Sequence, residues 1–222
     1  MIPMMVQQRL KPEKLIYSDS IKHLLVRSCF EKRYKTEKEN IKEKDKVPRF
    51  NPDVNYACIL LETNNHVHMI AGRSGMADSE RIVLAEAVNW ASAIAKREKW
   101  REGEIDPIYL KNLKPKKHYE DWDNTLFIKA RPLLALFNIE IFSERHPCDR
   151  QGQNCYKLLQ ETLYLSGGRH KVYYAVDYIQ GNSFELSVEL GKVEERYLDI
   201  KRVEALEGLQ RDINKEAYQE TF

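Results

Sequence analysis

The segment Ser79 to Glu98 constrains the fold most, because its apolar residues are not confined to one side of a helix. Ile82, Val83, Leu84, Ala87, Val88, Trp90, Ala91 and Ile94 wrap much of the circumference. A helix of that kind lies between layers rather than on a surface. The residues before it supply one of the layers. Tyr56 to Glu62 (YACILLE) reads as a strand, Thr63, Asn64 and Asn65 carry turn chemistry, and His66 to Ala71 (HVHMIA) returns as an alternating strand. Gly72-Arg73-Ser74-Gly75 breaks this hairpin before the helix begins. A hairpin feeding a buried helix predicts an α/β domain.

The same element types recur downstream. Pro132 to Phe137 is apolar, and Asn138 to Ser143 (NIEIFS) reads as a third strand. A second helix is predicted from about Asn154 to Leu165, ended by Gly167-Gly168 as a C-cap. His170 to Ile179 and Ser183 to Leu190 alternate as strands, and the Gln180-Gly181-Asn182 link between them suits a hairpin, not a crossover helix. The predicted order is β-β-α-β-α-β-β. Residues 1–52 are predicted to form a peripheral helical and charged arm. In it Ile21, Leu24, Leu25 and Cys29 have helical spacing, and Glu31 to Lys46 alternates Lys and Glu. Residues 53–190 form the main domain. Residues 191–222 are predicted to dock as an amphipathic helix through Tyr197, Ile200, Val203, Leu206, Leu209 and Ile213.

Charge and cysteine content narrow the function classes. With 36 Lys and Arg against 34 Asp and Glu the net charge is +2, which argues against a DNA-wrapping protein but not against an enzyme that handles one nucleotide at a time. No run approaches the roughly 20 apolar residues of a membrane span. Met1 to Gln8 has neither a basic n-region nor a sustained apolar run, so a cleaved signal peptide is not expected, and the expected compartment is the cytoplasm. Four cysteines do not make a disulfide scaffold. Cys29 and Cys58 read as small core residues, whereas the spacing of Cys148 and Cys155 beside Pro147 reads as a metal or redox pair.

Two short pieces fall at helix starts. Asp78-Ser79-Glu80 opens the buried helix, and Pro147-Cys148 with Cys155 lies between the third strand and the second helix. A catalytic zinc needs three protein ligands and an open position, and thiolates near a helix N-terminus suit it electrostatically. The bland alternatives are helix caps at Asp78 and Ser79, which form no capping box because Arg81 and Ile82 follow, and a pair of unliganded thiols.

GRSGMADSER (Gly72 to Arg81), SERHPC (Ser143 to Cys148) and NCYKLL (Asn154 to Leu159) together resemble the zinc-dependent cytidine deaminase superfamily, with its H-x-E and P-C-x-x-C signature. The resemblance is closest to the deaminase domains of bacterial polymorphic toxins and spans roughly residues 55 to 190. It implies a three-layer α/β/α fold with a mixed five-stranded sheet ending in an antiparallel hairpin. It also implies Zn2+ held by Asp78, Cys148 and Cys155, with Glu80 as the proton shuttle. Arg73, Ser74, Ser143 and His146 are the implied substrate-side residues. This chain departs from the pattern in having Asp78 where the family carries His or Cys, and in a longer cysteine spacing that loops out Asp149 to Gln153.

The implied activity is hydrolytic deamination of a nucleobase, cytosine ahead of adenine, in single-stranded DNA or RNA or a free nucleotide. A toxin or effector of this kind acts in the cytoplasm of a target cell and is paired with an inhibitor protein. Two other readings stand beside it. One is a catalytically inactive deaminase-like binding protein, consistent with Asp78. The other is a thiol enzyme with Cys148 as nucleophile and His146 as base. Lys111 to Trp122 mixes cations with aromatics as single-strand binding loops do, and equally fits an ordinary solvated loop.

Overall fold

A computed structural model describes residues 12–37, 41–42, 47–48, 54–75, 77–98, 106–114, 116, 122–148, 154–163, 169–176 and 203–215. Its elements are β1 (Glu13–Lys14), α1 (Tyr17–Lys22), α2 (Leu24–Thr36), β2 (Ile41–Lys42), β3 (Val47–Pro48), β4 (Tyr56–Glu62), β5 (Val67–Arg73), α3 (Ser79–Arg97), α4 (Pro107–Leu113), α5 (Asn124–Lys129), α6 (Arg131–Leu134), β6 (Asn138–Arg145), α7 (Cys155–Thr162) and β7 (His170–Val176). Residues 203–215 are helical. The main sheet has the order β1-β7-β6-β4-β5 and is mixed. β4 runs antiparallel to both β5 and β6, while β6, β7 and β1 run parallel. Among the described residues no helix is long and apolar enough to cross a membrane.

Strand alternation divides the core into two layers. Ala57, Ile59 and Leu61 of β4, with Ile139 and Ile141 of β6, face Val83, Leu84, Ala87, Val88 and Ala91 of α3 and the apolar residues of α5 to α7. Tyr56, Cys58 and Phe142 point the other way. They pack against Leu25, Val26, Cys29 and Phe30 of α2 and against Leu206, Leu209 and Ile213 of the last helix. β4 sits between two strands and two helical layers, which is why YACILLE is almost continuously apolar.

The N-terminal region differs from the expected peripheral arm. α2 covers one face of the sheet, and Leu25, Val26, Cys29 and Phe30 are completely buried. β1 pairs with β7 at Glu13 to Tyr173 and Lys14 to Tyr174, and the Leu15 N–H donates to the Tyr174 carbonyl at 2.9 Å. The sheet therefore takes its fifth strand from the start of the chain. The expected hairpin partner, Ser183 to Leu190, lies outside the described residues, and the β7 edge it would need is held at Tyr173 and Tyr174 by β1. Unpaired edge groups accept whichever segment reaches them, and a parallel partner from elsewhere in the chain leaves no local turn signal.

One consequence of the topology positions everything that follows. β5 and β6 flank β4 and run in the same direction, so the helices that follow them both begin at the same end of the sheet. At that end β4 and β6 part. Their last paired residues are Ala57 and Ser143, while β4 stays on β5 as far as Tyr56–Arg73 and β6 stays on β7 as far as Arg145–Val176. The start of α3 faces this split.

Candidate metal centre

Asp78, Cys148 and Cys155 come together at the split end of the sheet, although up to 77 residues separate them. One carboxylate oxygen and the two sulfurs lie within 4.8 Å of one another. Tetrahedral zinc with bonds of about 2.3 Å to sulfur would place two sulfurs about 3.8 Å apart. The cluster is thus close to the dimensions of a three-ligand site, and its donor set of two thiols and a carboxylate suits zinc-like ions.

Asp78 occupies the N-cap position of α3, yet its side chain makes no capping hydrogen bond. Its Oδ2 instead accepts the Cys155 thiol proton at 3.0 Å. This geometry departs from plain capping, because an N-cap Asp normally accepts from the second or third helical N–H. Asp106, Asp123 and Asn154 do cap α4, α5 and α7 in that way. Cys155 is the first residue of α7 and is fully buried. The Tyr156 N–H donates to the Cys148 carbonyl at 2.9 Å and ties Cys148 to that helix.

The two thiols are electrostatically unequal. The contact with Cys155 holds Cys148 below the ordinary thiol range, against the opposing effect of burial. The same contact, with burial and the charges of Glu80 and Asp78, pushes Cys155 far above it. A divalent cation bound here would displace the thiol protons.

Glu80 lies in the first turn of α3, beside the cluster but not part of it. It is buried, and burial pushes its carboxyl above the usual range. The Ser143 hydroxyl donates to Oε1 at 2.7 Å, the Asn55 amide reaches Oε1 at 3.3 Å, and the Ser79 hydroxyl donates to Oε2 at 3.2 Å. Asn55 also donates to Ser143 Oγ at 2.8 Å and to Ser79 Oγ at 2.9 Å. Its Oδ1 is buried and has no hydrogen-bond partner among the described residues.

The remaining expected residues divide. Ser143 touches Glu80 directly, and Ser74 is one step removed, since its Oγ accepts from the Asn55 N–H at 2.7 Å. Arg73 donates to Glu37 at 2.9 Å, and this carboxylate also accepts from the Tyr56 hydroxyl at 2.9 Å. His146 stands outside the metal-ligating group. Its Nδ1 donates to the Pro147 carbonyl at 2.9 Å, and its ring packs edge-on to Tyr174, 4.8 Å between centroids. Trp122 is a core residue and not an exposed stacking surface. It packs on Phe127 and donates to the Lys116 carbonyl at 3.1 Å. His68 stacks on Trp90 at the far end of the hairpin, away from any ligand role.

Sequence reasoning missed Asn55 and the buried pair Arg33 and Glu144. Asn55 stands immediately before an apolar strand, where a polar residue is ordinary. Arg33 and Glu144 are 111 positions apart, and no local pattern links them.

Comparison of the chain with protein-family models, curated proteins and solved structures finds no match.

Proposed function

We propose that this chain is a zinc-dependent hydrolytic deaminase of a nucleobase, cytosine ahead of adenine, presented in a single-stranded nucleic acid or a nucleotide. One observation carries the reading. Asp78 forgoes its capping bond to face two thiols, while Glu80, two residues on, is held out of the ligand group by Ser143 and Asn55. Ser143, Asn55 and Ser79 direct the Glu80 carboxylate, and its place outside the ligand group leaves it available for proton transfer.

Asp78, Cys148 and Cys155 are the residues that would hold zinc, which when bound supplies Lewis acidity and makes water a nucleophile near neutral pH. The rest of the chemistry belongs to Glu80. With Oε1 anchored by Ser143 and Asn55, Oε2 is the oxygen assigned to proton transfer. It carries one proton from the attacking water to the ring nitrogen, where it stays, and a second from the hydroxyl of the adduct to the exocyclic amine. Water adds at the ring carbon, the carbon–nitrogen bond breaks, and ammonia leaves, converting cytosine to uracil. The elevated proton affinity that burial gives Glu80 suits a group that must both take and return a proton. A toxin- or effector-like role with a dedicated inhibitor protein belongs to the same reading.

Expression in a host lacking uracil repair, followed by genome sequencing, tests the DNA form of the activity. An excess of C-to-T changes that vanishes with Glu80→Ala supports it. If purified zinc-loaded protein also releases no ammonia from cytosine-containing single-stranded DNA, single-stranded RNA or cytidine, the proposal fails.

A further inference from the structure

The split between β4 and β6 is bridged differently on its two faces. On the α3 face the Asn55 amide spans it, joining Ser143 to the start of the helix. On the α2 face the bridge is an ion pair. Arg33, 1% exposed, donates through Nε to Glu144 Oε1 at 2.6 Å and through Nη2 to Glu144 Oε2. Arg33 Nη2 also lies 3.4 Å from the Val54 carbonyl, and Glu144 Oε2 accepts the Tyr56 N–H at 3.0 Å. The guanidinium sits 4.4 Å over the Tyr56 ring.

These contacts grip the residues on either side of Asn55, namely Val54 and Tyr56, and the residue next to Ser143. Strand alternation then sends Asn55 and Ser143 to the opposite face, where both touch Glu80. Burying two charges has a desolvation cost that a pair of apolar side chains would avoid, so the clamp is poorly explained as a source of stability. A bidentate guanidinium–carboxylate contact does fix distance and angle. We propose that Arg33 and Glu144 are positioning residues, which hold the parted strand ends at the spacing that lets Asn55 and Ser143 orient Glu80. The catalytic consequence rests on the deaminase reading, whereas the geometric one does not.

The test replaces both partners in the full-length chain, Arg33→Met with Glu144→Met, which removes the clamp without stranding a charge. The readouts are the melting temperature, zinc content after loading with zinc(II) alone, deamination kinetics, and the side-chain amide resonances of Asn55, assigned by their loss in Asn55→Ala. The expected result is wild-type-like melting and zinc content with displaced Asn55 resonances. Deamination should fall about 10-fold or more in kcat with KM nearly constant, as for a misaligned group. Unmoved Asn55 resonances, or an unchanged kcat in an active protein, overturn the proposal. Arg33→Lys, which keeps the charge but loses the fork, must displace the same resonances in the same direction, and it serves if the double variant does not fold. A wild-type protein inactive on single-stranded DNA, single-stranded RNA and cytidine sinks the deaminase reading alone, and the resonances still decide the clamp.

Discussion

Asp78 is the N-cap of α3 and Glu80 lies in its first turn, and the proposed function gives them separable tasks. Replacing Glu80 by Gln preserves its shape and its contact with the Ser143 hydroxyl but removes proton transfer. Activity is expected to fall by about 10² to 10⁴-fold, with melting temperature and zinc content close to wild type. A parallel loss of bound zinc, measured by elemental analysis, would show instead that Glu80 is a ligand. Asp78→Ser makes the opposite separation. Ser is a good N-cap and Asp78 caps nothing, so the zinc-free variant should melt at or slightly above the wild-type temperature while its zinc affinity collapses. If Asp78 acted as a cap alone, zinc binding would be indifferent to the change. The set Asp78, Glu80, Cys148 and Cys155 is legible in the sequence, because each residue type has its own chemistry and all four fall at or beside predicted helix starts. Asn55 is not legible there, since its importance depends on the side chains that other segments bring to it.

At the scale of elements, the packing of β5 on α3 sets where the helix starts. A Cβ added at Gly72 would approach Val83 Cγ1 at 2.9 Å and Ile82 Cγ2 at 3.1 Å. Gly72→Ala should therefore push the helix from the strand and cost about 1–3 kcal/mol in chemical denaturation. An unchanged midpoint would mean that the interface yields freely. On the other face, Leu209 of the last helix is nearly fully buried with Phe30, Tyr56 and Phe142 in its cluster. Leu209→Ala should cost about 2–5 kcal/mol. A cost under about 0.5 kcal/mol would mean that this helix is not part of the cooperative fold. The periodicities that announce these elements are local, which is why the hairpin, α3 and the terminal amphipathic helix are predictable. The sequence puts α2 at the margin because its Lys- and Glu-rich second half masks a buried stripe. Composition averages over a helix, but packing uses one face at a time.

For the molecule as a whole, the buried His170 is one group that makes stability depend on pH. His170 is 2% exposed, and burial pulls its pKa below the ordinary 6.5 while its Nε2–H donates to the Phe137 carbonyl. Below pH 6.5 the unfolded chain takes up a proton that the folded chain refuses. This contribution to stability is therefore complete above that pH and is lost progressively as pH falls toward the folded-state pKa. His170→Gln should melt lower than wild type at about pH 8 but lose less on acidification to about pH 5.5. Equal losses in the two proteins would assign the acid sensitivity to other groups.

The sequence by itself determined the β4–β5 hairpin, α3, β6, α7 and β7 and the chemistry available to them. Its repeat distances are short, and hydrophobic burial converts them directly into strands and helices. It also placed an acidic residue and a cysteine at the starts of two helices. Only the tertiary structure decided that those starts face each other, because this depends on β5 and β6 running the same way on either side of β4. It alone decided that β1 closes the sheet and that a pair of charges 111 residues apart bridges the parted strands. Pairing across such distances is selected by the collapsed chain as a whole, where satisfying buried polar groups outweighs any local preference.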